Sequence, residues 1–276
     1  MVNCIEAVRR AAHQLAAISD TPRLDAELLM AHALGVSRET QLLSGSDREA
    51  PPEFDALLAR RLAHEPVAYI TGRRAFWTIE LEVGPGVLIP RPDSETLIEA
   101  ALDHFGDSGP KTVLDLGTGP GTLLFAALDQ WPNAHGLGID ASETALGYAR
   151  RNAARLGLSE RATLRSGDWS EGLNQRFDLI LCNPPYVEAQ APLAPEVADW
   201  EPAGALFAGA DGVDDYRRLA PQLPRLLAPG GIACIEIGAG QADAVSALFA
   251  AQGFTVASRK DLRGIVRCLI LALDRG

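Results

Sequence analysis

VLDLGTGPG, residues Val113 to Gly121, runs from apolar residues through Asp115 into glycines at 117, 119 and 121. An apolar run that ends in closely spaced glycines and leads into an amphipathic pattern reads as a buried strand turning into a helix. Glycines at such a turn let a ligand approach the backbone, and in open α/β sheets ligands bind outside the carboxyl ends of the strands. A nucleotide-like cofactor is therefore expected against Asp115, Gly117, Thr118, Gly119, Pro120 and Gly121. The same glycines would also serve a tight turn with no ligand. Their GxGxG spacing differs from GxGxxG, which weakens a dinucleotide reading built on a pyrophosphate cradle.

Outward from this turn the same unit repeats. KTVLDLG, HGLGID, ATLRSGD, FDLILCNPP and GGIACIEIG read as strands, with helices expected near residues 120–130, 142–157, 214–228 and 241–252. Alternation of strand and helix specifies a parallel sheet covered on both faces, a doubly wound α/β domain. The last two strands, FTVASRKDL and VRCLILAL, are separated only by the turn at Arg263-Gly264-Ile265. That turn cannot hold a crossover helix, so the two strands should pair antiparallel.

Toward the amino terminus the period changes. Ile5, Val8, Ala12 and Leu15, then Leu24, Leu28, Leu29 and Ala31, recur at helical spacing, with breaks at Thr21-Pro22, Gly35-Val36-Ser37 and Ala50-Pro51-Pro52. A bundle of three to five helices is expected, closed by Asp55 to Ala63. RRAFWTIELEVGPG then reads as a β-hairpin linker. The expected organisation is a helical, substrate-docking domain over 1–72, a hairpin linker over 73–90 and the sheet domain over 91–276.

Composition bounds the function. The chain has 276 residues, 47% of them hydrophobic and 22% charged, as in an ordinary globular protein. The first twenty residues carry a Glu and an Arg pair inside a helical pattern, unlike a signal peptide, and no apolar run suits a membrane span, so a cytoplasmic location with no membrane partner is expected. A net charge of −11 argues against phosphate-driven binding, so no direct nucleic-acid partner is expected. Cys4, Cys182, Cys234 and Cys268 lack any CxxC spacing and read as buried thiols, with no metal site. His13, His32 and His64 fall on the N-terminal helices and read as structural.

Strand ends supply the remaining chemistry. Asp140 closes HGLGID, where an acid can accept hydrogen bonds from both hydroxyls of a ribose; Ser142 is the more natural helix cap. Asp168 beside Trp169 suits the exocyclic amine and the face of an adenine, although a capped turn with a core Trp would look the same. Adenosine without a phosphate cradle points to S-adenosyl-L-methionine, with S-adenosyl-L-homocysteine as product. The strand FDLILC then runs into Asn183, Pro184, Pro185 and Tyr186. The carboxamide oxygen of Asn183 and the carbonyl of Pro184 can grip the two hydrogens of an NH₂ group, the prolines fix that carbonyl's direction, and Tyr186 can stack on a planar amide or base. A purely structural turn is the alternative.

This quartet, DLGTGPG, Asp140, Asp168-Trp169 and NPPY, resembles the class I methyltransferases over roughly residues 88–274. The resemblance implies a seven-stranded sheet whose last strand runs antiparallel. GVLIPRPDSE (Gly86 to Glu95), EVADWEPAGALFAGADGVDDYRRL (Glu196 to Leu219) and KDLRGIVR (Lys260 to Arg267) are similar to segments of the glutamine N5-methyltransferases that modify peptide chain release factors, the PrmC/HemK family. That resemblance covers essentially the whole chain. It implies methyl transfer to the glutamine of a Gly-Gly-Gln loop, with Asn183 to Tyr186 binding substrate and Gly117 to Gly121, Asp140, Trp169 and Asn183 binding cofactor. A monomer is expected. Departures from the family pattern are Asp93-Ser94-Glu95 in place of Glu-Thr-Glu, and Pro120 and Thr122 in the glycine loop. The alternatives are a nucleic-acid base N-methyltransferase, which would grip a flipped amine with the same motif, and an inactive cofactor-binding module.

Overall fold

A computed structural model describes residues 2–44 and 48–273, so the outermost positions of the expected 1–72 and 91–276 segments lie outside the described residues. The chain forms two compact units: Met1–Arg73 with Leu193–Trp200, and Arg74–Pro192 with Glu201–Gly276. Among the described residues no helix is long and apolar enough to cross a membrane.

The first unit carries α1 (Cys4–Leu15), α2 (Pro22–Leu34), α3 (Arg38–Ser44), α4 (Glu53–Leu62) and α5 (Val67–Thr71). Asn3 caps α1 by accepting from the Glu6 amide at 2.9 Å. Pro22 opens α2 at a position that lacks an intrahelical donor role, and Gly35 closes it at φ 65°, a conformation that glycine adopts without strain. The buried face of α1 is Cys4, Ala7, Val8, Ala11 and Leu15, rotated from the expected one; Ile5 is 50% exposed. Small residues, not the largest aliphatic one, let α1 sit close to α2. The side chain of Arg61 on α4 is buried between Asp25 (2.9 Å) and Glu196 (2.7 Å), which ties the later segment 193–200 into this unit.

The second unit opens with a hairpin of β1 (Arg73–Phe76) and β2 (Ile79–Glu82). Its turn lies at Trp77-Thr78, where Trp77 takes φ 53°, and Gly84-Pro85-Gly86 follows the hairpin. The tip is fixed by Trp77 Nε1 donating to Gln130 at 3.1 Å and Thr78 donating to Asp129 at 2.6 Å. After α6 (Glu95–Phe105) come β3 (Thr112–Leu116), α7 (Thr122–Gln130), β4 (His135–Asp140), α8 (Glu143–Arg155), β5 (Ala162–Ser166) and β6 (Phe177–Cys182). After the short α9 (Pro195–Ala198), which belongs to the first unit, come α10 (Asp214–Leu219), β7 (Leu227–Glu236), α11 (Ala242–Ala250), β8 (Phe254–Lys260) and β9 (Val266–Leu273). The helix expected over 214–228 stops at Leu219, because Pro221 and Pro224 remove backbone donors. Helix α6 was not among the expected helices.

Seven strands form one sheet in the order β5-β4-β3-β6-β7-β9-β8. The last strand runs antiparallel, as expected, and lies between β7 and β8 rather than at an edge. Leu114, Leu116, Ile139, Ile180 and Ile235 pack in its core. Burying such side chains stabilises by about 1.5–3 kcal/mol each, so the strand centres hold the fold and the residues just past their ends are left to chemistry. All four cysteines are buried and unpaired.

Candidate active site

Strand register decides which residues meet. Leu116 pairs with Ile139 and with Cys182, and Asp140 pairs with Ser166. The parallel strands therefore release Gly117, Asp140, Gly167 and Asn183 at one edge of the sheet. Cys182 also pairs with Ile235, which brings Glu236, the next residue of β7, to the same edge.

The glycine loop is held from both sides. The amides of Gly117 and Thr118 each donate to the Ile139 carbonyl at 2.9 Å, and the Gly119 amide donates to Asp140 Oδ2 at 2.8 Å. Asp140 Oδ1 accepts from the Ser142 amide at 2.8 Å, while the Ser142 hydroxyl caps α8. Gly119 has φ 58° and a side chain there would meet nothing within 4 Å, so the loop is open to a ligand at that point. Gly121 differs: a side chain would collide with the Phe125 ring, and its role is packing. Asn152, fully buried on α8, donates to the Pro120 carbonyl (3.0 Å) and brackets Glu82 of β2 through both its backbone groups (2.7 and 3.0 Å).

Asp115 lies beneath this loop. Its Oδ2 accepts from the Thr118 hydroxyl at 2.6 Å and the Leu124 amide at 3.2 Å, and its buried Oδ1 has no hydrogen-bond partner among the described residues. Burial pushes its carboxyl up to about 7, against the two hydrogen bonds, with Asp140 adding to the rise. An unpaired carboxylate oxygen, an open glycine and a second acid at the loop fit a ligand that carries positive charge. The folded, ligand-free chain holds the Asp115 proton more tightly than the unfolded chain does. That contribution to stability is complete at low pH and is lost as pH rises through about 7. A cationic ligand favours the ionised form, so cofactor affinity should increase as pH rises through about 7, and Asp115→Asn should flatten the increase. Calorimetric titration on both sides of this value checks it; a pH-independent affinity in the unaltered chain would contradict it.

Trp169 takes φ 50° and its ring lies beside Gly117. The Asp168 carboxylate, however, pairs with Arg218 at 2.6 Å. Both side chains are more than half exposed (57% and 51%), and such a pair is worth about 0–1 kcal/mol, so it yields easily to a better donor.

In the NPPY segment, Asn183 Nδ2 donates to the Ser94 hydroxyl at 3.2 Å. Among the described residues nothing donates to Asn183 Oδ1 or to the Pro184 carbonyl. The Tyr186 hydroxyl donates to Glu236 Oε1 at 3.2 Å, and Gln241 Nε2 donates to the Tyr186 carbonyl at 3.0 Å. Just beyond, Val187 bonds both ways with the chain at Leu206 and Ala208 (2.8 and 2.9 Å). Burial, with the neighbouring Glu236 charge, pushes the Tyr186 phenol up, so it stays neutral. Of the supports Ser94, Asn152, Glu236 and Gln241, the sequence reading marks only Ser94, as a departure from the family pattern and not as a partner of Asn183. Of the other three, Glu236 alone left a signal, a carboxylate near the end of the otherwise apolar strand GGIACIEIG.

The three stretches that carried the resemblance also converge. Arg91 pairs with Glu201, whose other oxygen accepts from the Ile89 amide at 3.0 Å. Arg267 pairs with Asp93 at 3.2 Å and with Asp261 at 3.3 Å.

The sheet order, the antiparallel last strand and the glycine loop opposite an acid define a class I methyltransferase. The family model described as a methyltransferase domain matches residues 107–258, and that described as the PrmC N-terminal domain matches residues 6–72. A release factor glutamine methyltransferase of Rhodospirillum rubrum is 46% identical over 258 residues, 91% of this chain and 79% of that protein. One of Caulobacter vibrioides is 46% identical over 251 residues, 88% of this chain and 86% of that protein. The chain belongs to the release factor glutamine methyltransferase family. A solved methyltransferase structure from Pyrococcus furiosus, 20% identical, superposes with TM-score 0.54 over 77% of this chain and 95% of that one, a likeness of fold.

Proposed function

We propose that the chain transfers a methyl group to the side-chain amide nitrogen, N5, of the glutamine in the Gly-Gly-Gln loop of peptide chain release factors. The observation that carries this reading is the pair of unclaimed acceptors, Asn183 Oδ1 and the Pro184 carbonyl, at the sheet edge that also bears the glycine loop. S-adenosyl-L-methionine, when bound, supplies an electrophilic methyl and departs as S-adenosyl-L-homocysteine. Asp115, Gly117, Thr118, Gly119, Pro120, Gly121, Asp140, Asp168 and Trp169 are the residues that would hold it.

An amide nitrogen is a poor nucleophile because its lone pair is delocalised into the carbonyl. Asn183 and Pro184 accept its two N–H groups and so hold the nitrogen with its lone pair directed at the methyl, and the Tyr186 ring keeps the amide in plane. As the N–CH₃ bond forms and the S–CH₃ bond breaks, one amide proton leaves to water. Tyr186, neutral and hydrogen-bonded to Glu236, takes no proton.

The acidic chain carries no general call on phosphate, and the release factor protein is its partner. It works as a monomer in the cytoplasm, with the helical unit docking the protein substrate. Removing residues 1–72 should leave cofactor binding intact, because the sheet unit has its own core, and should lower kcat/KM on whole release factor about tenfold or more, ~1.4 kcal/mol. Undiminished kcat/KM on the whole protein would remove the docking role. The function itself is tested by offering radiolabelled cofactor with purified release factor, DNA and RNA in parallel; label should enter the release factor alone.

A further inference from the structure

Gln241, the residue before α11, makes three hydrogen bonds with its side-chain amide. Nε2 donates to the Tyr186 carbonyl at 3.0 Å and to the Gly212 carbonyl at 3.2 Å, and Oε1 accepts from the Gly238 amide at 2.9 Å. Carbonyls only accept and a backbone N–H only donates, so these partners fix which way the amide faces. One side chain thus ties together the segments that follow β6, precede α10 and follow β7. Both glycines permit the close approach. A Cβ on Gly212, at φ 69°, would lie 2.4 Å from the Tyr186 carbonyl oxygen, and one on Gly238 would lie 2.7 Å from Gln241 Oε1 and 3.1 Å from the Tyr186 ring.

Among the described residues no other hydrogen bond reaches the backbone of Pro184, Pro185 or Tyr186. The peptide joining Tyr186 to Val187 is therefore pinned on two sides, its C=O by Gln241 and its N–H by the Leu206 carbonyl at 2.8 Å. At the other end of the motif Cys182 is held in the sheet by its register with Leu116 and Ile235. Peptide planes are rigid and both proline φ angles are fixed, so with the two ends held few soft torsions remain between them. The direction of the Pro184 carbonyl and the seat of the Tyr186 ring against Gly238 follow from that closure. Without Gln241 the Tyr186 peptide can pivot about its single remaining bond, and the Pro184 carbonyl turns with it. We infer that Gln241 is a positioning residue for methyl transfer, which clamps the exit of NPPY so that the Pro184 carbonyl and the Tyr186 ring keep the substrate amide aligned. This rests on the proposed amide methylation.

The test compares Gln241→Glu and Gln241→Ala with the unaltered chain on release factor, at saturating cofactor and about pH 8.5, far above the ordinary glutamate pKa of ~4.3. Glu keeps the size of the side chain and the acceptor for Gly238, but it replaces both donors with a charged oxygen facing two carbonyls. Ala removes the clamp and, at a partly buried position, lets water reach the three groups. Both variants should lower kcat roughly 10- to 100-fold while release factor KM and cofactor Kd change less than about threefold, because alignment of the reacting atoms is lost and binding is not. Cofactor titration should still find one site per chain, and Glu should be no more active than Ala. A side chain that merely fills space predicts the opposite order, with Glu near the unaltered chain and Ala impaired, and that result overturns the inference. Full kcat in Gln241→Ala, or losses confined to KM and cofactor Kd, overturns it as well. If Gln241→Glu does not fold, Gln241→Ala decides alone by the split between kcat and the two binding constants. The unaltered chain is the control for the underlying reading: should it fail to methylate release factor, the proposed function falls, whereas normal turnover of the unaltered chain with unimpaired variants removes only the role of Gln241.

Discussion

Asn183→Ala should fold as the unaltered chain does and lose roughly 10²–10³ in turnover on release factor, the usual consequence of deleting one preorganised polar group aimed at a reacting centre. The residue lies past the end of β6, only partly buried, and among the described residues its one side-chain hydrogen bond is to Ser94. Truncation leaves the packed residues of the strand untouched, so stability should stay within about 1 kcal/mol. Asp at this position retains an acceptor oxygen but puts a second negative charge near Glu236, which favours protonation of one of the two. It should bind cofactor and position a neutral amide poorly. Thermal unfolding and single-turnover rates measure the two effects separately; near-normal turnover in a folded, cofactor-saturated Asn183→Ala protein would reduce NPPY to a structural turn.

The second large effect is expected at Asp140. Its oxygens already accept from the amides of Gly119 and Ser142 at 2.8 Å each, with the outer lone pairs left for the proposed ribose hydroxyls. Asp140→Ala removes the charged acceptor and unties the glycine loop at once. Cofactor affinity should fall by about 2–4 kcal/mol, since hydrogen bonds to a charged group are worth ~1.5–3 kcal/mol each. Unchanged affinity by calorimetry would refute the ribose assignment.

How much of this could be read from residues alone follows from the range of the interactions concerned. Strands such as Leu179-Ile180-Leu181 and the turn at Gly117 to Gly121 are local signals, and parallel pairing then brings their carboxyl ends to one edge without further information. The supports are different in kind. Asn183 and Ser94 stand 89 residues apart, and Asn152 reaches both Pro120 and Glu82; nothing near any of them in sequence announces the partner. The hairpin turn at Trp77-Thr78 is likewise held by residues far along the chain, Gln130 and Asp129. Local misreadings have local causes. Pro221 and Pro224 inside an apolar pattern cut short a helix whose periodicity continues past them. On α1 the buried stripe follows Ala7 and Ala11, because close packing selects small residues that a hydrophobicity pattern undervalues.

The central claim is that the two acceptors of Asn183 and Pro184 hold a glutamine amide. Its most direct test is to incubate purified release factor with the protein and S-adenosyl-L-methionine and to map the modification by fragmentation mass spectrometry. One methyl on the side-chain nitrogen of the Gly-Gly-Gln glutamine, absent with Asn183→Ala, is the predicted result; a methyl on any other atom, or none with folded, cofactor-saturated protein, would contradict it.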